Sequence, residues 1–383
     1  MKTLMMIGGS ERHRDLLASF REEHKCCIVC IDKDENAPAK EYADVFVPIS
    51  VTDTMRALEF ARGLEIDGCI AIPDIGAKTG AFINTQLNLK GIKYNTYLCM
   101  TDKKISRRAF ESAGVALPRE FTDHSPDYTD IESFIIKPVN STGSSGVYKM
   151  SKNDLYRKLP PFYQKDYVIE EYLDGNMFSV DLVMQDGKIR YGMVHDRYLG
   201  YPDCFVDAII FSPSNYGYND DTQILFPICE KALASVRFTD GPANLQFIEK
   251  GGIFYLIEVN PRISGPYGIE CHTLATHVDW FYDIAMAALG ETVLNATLHP
   301  CNIKPNALVT IGAEKDGVIS HVTYPEWLGK VDGYWRWKED GDQVNKMKAV
   351  KDSIEHIFIM DNNILMTLDK AFSLLKETKV HLR

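Results

Sequence analysis

The sequence lacks several features, and each absence removes a class of protein. No stretch reaches the ~18 apolar residues that a membrane-spanning helix requires. The apolar opening, Met1 to Gly9, is too short for the apolar core of a secretory signal with its cleavage site. Basic charge is in deficit: 42 Lys and Arg against 53 Asp and Glu leave a formal charge of −11, which argues against nucleic acid or a membrane surface as partner. The G-x-G-x-x-G fingerprint of dinucleotide sites is missing, although a glycine turn follows the first apolar run and Asp32 ends the second. Internal repeats, low-complexity tracts and disordered linkers are absent as well.

What remains is a soluble globular chain. Its 383 residues, 45% hydrophobic and 25% charged, suit two or three domains. Nine cysteines form an odd number without a repeating framework, so they read as free thiols in a reducing compartment, and the expected location is cytoplasmic. Cys27-Ile-Val-Cys30 has C-x-x-C spacing, but it lies in the apolar run Cys26 to Ile31, where buried cysteine behaves as a small hydrophobe.

The fold class reads as α/β (α+β). Apolar runs at Thr3–Ile7, Cys26–Ile31, Val45–Pro48 and Cys69–Ile72 alternate with helical patterns at Asp15–Glu23, Asp53–Arg62 and Lys78–Asn88, a βαβ opening over residues 1–98. At Thr101-Asp102-Lys103-Lys104 a capped helix begins, with Ile105, Ala109, Phe110 and Ala113 at helical spacing and a stop at Gly114. Short strands at Phe134–Lys137, Gly146–Met150 and Tyr167–Glu171, with a helix at Asn153–Leu159, predict a small lid over about 116–172; a strand at Phe178–Met184 follows. Ile189 to Tyr218 shows no periodicity and is predicted to be a loop-rich, functional stretch. After about residue 300, short strands at Ala307–Ile311, Gly317–Val322 and His356–Met360 precede a helix at Asn363–Glu377.

Two segments carry chemistry. Asn244-Leu-Gln246-Phe to Glu258-Val-Asn260-Pro-Arg262 reads as a hairpin turning at Lys250-Gly251-Gly252. Side chains alternate along a strand, so Glu258, Asn260 and Arg262 share a face. With Gln246 they make an oxygen cluster of the kind Mg²⁺ accepts when nucleotide phosphates complete its shell, and Arg262 offers a bidentate contact to a phosphoryl or carboxylate group. A polar face of a half-solvated hairpin is the bland alternative. In the second segment, Lys137 on a strand precedes Asn140-Ser141-Thr142-Gly143-Ser144-Ser145-Gly146, a loop small enough for backbone N–H groups to approach phosphate while the lysine neutralises charge. The bland alternative is a flexible turn.

Together these blocks resemble the ATP-grasp superfamily. The hairpin is similar to the metal-binding signature of carbamoyl phosphate synthetase and biotin carboxylase, and the phosphate loop to that of carboxylate-amine ligases. The resemblance implies an ATP-grasp fold with a Rossmann-like N-terminal domain (1–98), an ATP-grasp domain (99–299) with its lid, central mixed sheet, and a C-terminal domain (300–383) in which Gly341-Asp342-Gln343-Val344 matches a family turn. It implies Gln246, Glu258 and Asn260 as ligands of Mg²⁺ (or Mn²⁺), the neutral Gln246 leaving the number of ions open. It also implies Arg262 and Lys137 as catalytic groups, Arg262 stabilising an acyl phosphate. ATP binding is implied for Lys103 (with Lys104 adjacent), Lys137, Ser141, Gly143, Ser144, Ser145 and Gly146. The hinge Glu170, Glu171, Tyr172 and Leu173 would read adenine. Met177 stands where an acid is usual, and Asp181 keeps the second acid of that pattern, a ribose or lid contact.

Arg197 is a candidate substrate-carboxylate clamp and His195 a candidate substrate contact. His195, His272 and His277 read first as structural or substrate-facing, because phosphoryl transfer depends on positioning and charge more than on a general base. The expected activity is an ADP-forming ligase that joins a small-molecule carboxylate to an amine, with an amino acid or small peptide as substrate. Bicarbonate-dependent carboxyphosphate or carbamoyl phosphate chemistry and a non-catalytic nucleotide-binding protein are the alternatives. A homodimer is the assembly considered; no biotin-accepting or glutaminase segment is present.

Overall fold

Strand β1 (Thr3–Ile7) is apolar because helices cover both its faces, leaving Leu4 to Ile7 fully buried. It pairs in parallel with β2 (Cys27–Ile31) and β4 (Gly68–Ala71), and β3 (Val45–Val47) joins beside β2, giving the order β3-β2-β1-β4. Helices α1 (Glu11–Glu23), α2 (Thr54–Gly63) and α3 (Asp74–Gln86) alternate with these strands as the pattern predicts. Burial pushes the Cys30 thiol up to about 12, so the C-x-x-C pair is packing. This computed structural model describes all residues outside 24–25, 73, 123–129, 159–165, 215–220 and 294–301.

Helix α4 (Tyr94–Thr101), which the sequence reading missed, runs into α5 (Lys103–Ser112). Asp102 separates them and caps α5, its carboxylate accepting from the N–H groups of Lys104 at 2.9 Å and Ile105 at 3.0 Å. The buried face of α5 is Ser106, Arg107 and Phe110, while Ile105 is 46% exposed. The apolar spacing misled here because Arg107 is buried, its charge met by Glu170 at 2.7 Å and Glu120 at 3.1 Å.

A three-stranded sheet follows, β6 (Tyr148–Ser151), β5 (Ser133–Pro138) and β7 (Tyr167–Glu171) in that order, with α6 (Lys152–Lys158) over it. Phe134, Ile136, Leu155 and Ile169 give it a core of its own, separate from the main one. The last residue of the helix expected at 153–159 lies outside the described residues.

The main sheet has eight antiparallel strands in the order β12-β11-β8-β9-β10-β13-β17-β15. They are β8 (Asn176–Gln185), β9 (Lys188–Leu199), β10 (Asp207–Ser212), β11 (Gly241–Lys250), β12 (Ile253–Asn260), β13 (Asn306–Gly312), β15 (Gly333–Arg336) and β17 (Ser353–Met360). Of the stretch 189–218, expected as loop, 215–218 lie outside the described residues, and residues 189–212 are mostly two central strands. Their periodicity is hidden because both faces of β9 are buried, and the polar His195, Asp196 and Arg197 are tolerated through Ser212, Ser214 and Asp207. The expected C-terminal domain shares this sheet through β13, β15 and β17. A small sheet, β16 (Gln343–Val344), β14 (Gly317–Thr323) and β18 (Lys379–Leu382), stands beside it.

Helices α7 (Asp221–Ser235), α8 (Gly268–Thr276) and α9 (Trp280–Ala288) cover the main sheet, and α10 (Ile364–Glu377) packs on β13. One buried cluster joins α1, β1 and β2 to α8 and α9, tying the N-terminal sheet to the main one. Among the described residues no helix is long and apolar enough to cross a membrane.

Candidate nucleotide and metal site

The hairpin forms as expected, β11 turning into β12 through Gly251 and Gly252, both at positive φ. Gln246 lies opposite Glu258 and Asn244 opposite Asn260, so the alternating face gathers one carboxylate and three amides. Asn260 Nδ2 is 3.5 Å from Glu258 Oε2, and Gln246 Nε2 donates to Asn244 Oδ1 at 3.3 Å. The ladder slips just after Gln246, so Ile257 has no partner on β11. Its carbonyl accepts from Lys137 Nζ at 3.0 Å.

Burial works against the Glu258 carboxylate, but Lys103, Lys137 and Arg262 outweigh it and hold its carboxyl below the usual range. Lys103 Nζ stands 3.3 Å from Glu258 Oε1 and donates to Ser141 O at 2.8 Å, so Lys103 rather than Lys104 carries its ammonium to this face. An ionised carboxylate with amide oxygens is a hard donor set that fits a magnesium-type cation.

Lys137 Nζ also pairs with Glu170 Oε2 at 2.7 Å, and Glu170 Oε1 takes Arg107 Nη1 at 2.7 Å. The hinge acid, expected at the adenine edge, therefore spends both oxygens orienting two cations. Tyr172 N–H donates to Ser133 O at 2.9 Å, and Glu171 pairs with Arg119. Gly175 closes the hinge against β11, where a Cβ would stand 2.2 Å from Glu249 O.

Between the three-stranded lid and the hairpin lies a cleft in two parts that share Lys103, Lys137, Ser141, Glu170, Ile257 and Glu258 as walls. The hinge part, about 130 Å³, adds Tyr172, Leu173, Met177, Arg197, Gln246 and Ile248. The outer part, about 440 Å³, adds Thr101, Arg107, Asn140, Thr142 and Asn260. Ser144 lines the hinge part, whereas Gly143, Ser145 and Gly146 shape the loop. Gly143, Ser144 and Gly146 all hold positive φ. The loop is docked onto the body: Ser144 Oγ donates to Phe205 O at 2.7 Å and Val350 N–H to Gly143 O at 3.1 Å.

Asp181 and His195 stand away from the cleft, and Arg197 and Arg262 do not share one part of it. Asp181 shares a strand face with Met177 but lies about 13 Å further along β8, fully buried under α8. It accepts from Asn244 Nδ2 at 3.0 Å, Ser264 N at 2.8 Å, Ser264 Oγ and His272 Nε2 at 2.7 Å. Burial opposes its charge, yet His195 and His272 outweigh that and keep its carboxyl far below the usual range. His195 is 1% exposed, its Nε2 3.2 Å from Asp181 and its Nδ1 bonded to Ser212 Oγ, so it braces the sheet and does not face substrate. Ligand atoms of Asp181, His195 and His272 lie within 4.8 Å of one another; Asp181 and His272 are already hydrogen-bonded, whereas His195 Nε2, 3.2 Å from Asp181, makes no hydrogen bond. Arg197, opposite Met177, pairs with Asp207 at 2.8 Å and lines the hinge part of the cleft, away from Arg262. Its Nη1 is buried without a hydrogen-bond partner.

Arg262 donates from Nη1 to Ile263 O at 3.1 Å and borders a separate apolar cavity between the main and N-terminal sheets. Arg107, Asn244 and the Ile257 carbonyl escaped the sequence reading. A buried arginine in an amphipathic helix was the available signal for the first; nothing in the sequence marks the bulge that frees the carbonyl.

The cleft between the three-stranded sheet and the oxygen-bearing ribbon brings two lysines and a carboxylate-amide donor set to one place. Residues 100–266 match the family model of the ATP-grasp domain. Over its whole length it is similar in fold to L-amino acid ligase from Bacillus licheniformis, with 16% identity, a TM-score of 0.80 and 99% of that chain covered. The biotin carboxylase domain of Hydrogenobacter thermophilus 2-oxoglutarate carboxylase, solved with MgADP, ADP and bicarbonate, has 16% identity and a TM-score of 0.71, with all of this chain and 91% of that one covered. An uncharacterized protein, y4rH, of Sinorhizobium fredii is 22% identical over 283 residues, 68% of this chain; the match spans 56% of that relative's length.

Proposed function

We propose that the protein activates a carboxylate with ATP and joins it to an amine, releasing ADP and phosphate. A carboxylate oxygen attacks the γ-phosphorus and the β–γ bridging bond breaks, so that ADP leaves and an acyl phosphate forms. The amine then attacks the acyl carbon, phosphate departs with the C–O bond pair, and the nitrogen gives up one proton. The observation that carries this reading is the meeting of Glu258, Lys103 and Lys137 at one cleft, with Gln246 facing Glu258 across the ribbon.

Gln246, Glu258 and Asn260 would hold a magnesium or manganese ion, which supplies charge neutralisation to phosphate oxygens when bound. Lys103 and Lys137 neutralise the phosphate chain, with Glu170 and Ile257 O aiming Lys137. Arg197, with its spare Nη1, serves the nucleotide in our reading, in place of the missing acid at Met177. Ser141 and Ser144 belong to the loop that closes over the phosphates. Arg262 holds the acyl phosphate, and the docked loop keeps water from it.

The substrates are a small-molecule carboxylate and an amine, an amino acid or small peptide among them. The cytoplasm suits the eight described cysteines, all unpaired thiols. Carboxyphosphate chemistry from bicarbonate is the second reading, favoured by the neutral Gln246, and bicarbonate-dependent ADP release would mark it. The test is ADP and phosphate release against a panel of acids and amines, with hydroxylamine to trap an acyl phosphate. Hydroxamate with ADP is the expected result; AMP with pyrophosphate would refute it.

A further inference from the structure

The cavity beside Arg262 is built as a side-chain pocket. It measures about 70 Å³ and lies between the N-terminal sheet and the start of β11. Ile70 and Ala71 of β4 and Ala77 and Ala81 of α3 form one wall, with Pro242 and Ile263 facing them. At its polar rim stand Arg262 and Arg12. Arg12 is held by a bidentate pair with Glu270, at 2.6 and 3.0 Å, so its charge is already matched.

Within this apolar wall sits one exception. Asn84 is 4% exposed, lines the cavity, and its Oδ1 is buried without a hydrogen-bond partner. Its amide orientation is set by Nδ2, which donates to Cys69 O at 3.3 Å and Ile92 O at 3.4 Å. A buried carbonyl left without a donor is costly, so a ligand's N–H or O–H is its natural complement.

Size narrows the occupant. One water fills ~30 Å³ of liquid and a ~150 Å³ cavity takes benzene, so this cavity accepts about three heavy atoms. We propose that the carboxylate substrate is a short aliphatic acid bearing one hydrogen-bond donor. Its carboxylate lies at Arg262, its chain in this cavity, and its donor on Asn84 Oδ1. The inference rests on the proposed role of Arg262, and it excludes aromatic acids and bicarbonate as the preferred partner.

The test is calorimetric titration of alanine, lactate, propionate and phenylalanine into the protein saturated with ADP and magnesium, alongside ADP release from ATP. Alanine or lactate should bind at least tenfold more tightly than propionate, which lacks the donor, and phenylalanine should not bind. Ala77→Val and Ala81→Val, which fill the cavity, should weaken the preferred acid at least tenfold while ADP binding stays unchanged. Equal binding of all four acids, or wild-type affinity in both folded variants, would overturn the proposal. Should a variant lose ADP binding, the wild-type acid series decides alone. If the acids bind in this order but none stimulates ADP release, the proposed reaction fails and the pocket assignment stands. ADP release that ignores acid size and donor has the reverse meaning.

Discussion

At the residue scale, few charges meet at the cleft: Lys103 and Lys137 approach Glu258 and Glu170. Lys137 touches Glu170 and Ile257 O, and on the proposed reading removing its ammonium would leave the phosphates one cation short. Lys137→Ala should lower kcat by roughly 10²- to 10³-fold, the range for losing one electrostatic stabiliser, with the circular dichroism spectrum unchanged. Gln246 supplies an amide where a second carboxylate would bind cations more tightly. Gln246→Glu should raise Mn²⁺ affinity in the presence of ADP by about tenfold, near 1.4 kcal/mol, measured by electron paramagnetic resonance; an unchanged affinity would remove Gln246 from the ligand set. The hairpin that carries Gln246, Glu258 and Asn260 was legible because strand alternation and a glycine turn survive in one dimension. Arg197 and Asp181 were not, since which stretch of a strand lies in a cleft depends on what packs over it.

At the element scale, β17 carries a pH response that the sequence alone does not show. His356 is 1% exposed, near Thr310 and Ser353 hydroxyls, and burial lowers it to about 4 from its ordinary 6.5. The unfolded chain therefore takes up a proton first. His356 costs nothing above pH 6.5; its penalty grows as pH falls to about 4 and levels off below, totalling roughly 3 kcal/mol. Urea unfolding of His356→Gln should show a flatter stability profile than wild type across that window, and parallel profiles would contradict the assignment. The hinge is the second element with a sharp demand. Gly175→Ala would drive a Cβ into Glu249 O, and a loss of about 1–3 kcal/mol, with a raised KM for ATP, is expected. The βαβ opening, the lid strands and the hairpin were readable because their apolar runs are bounded by turn residues. β9 and β10 were not, because buried polar pairs such as Arg197–Asp207 and His195–Ser212 break the pattern that marks a strand.

At the scale of the whole molecule, the cleft is closed by parts distant in sequence. The Gly143–Ser144 loop bonds to Phe205 and Val350, and Arg262 borders a cavity completed by β4 and α3. The main sheet runs through residues 176–360, so the C-terminal strands are part of the body that the lid closes upon; composition gives no sign of this, since antiparallel order is set by long-range pairing. The central claim is that a carboxylate oxygen attacks phosphorus, and isotope transfer reads this directly. With the acid that best stimulates ADP release labelled with ¹⁸O in its carboxylate, mass spectrometry of the released phosphate should find one ¹⁸O atom per turnover. Phosphate free of label, with product formed at the normal rate, would contradict the account.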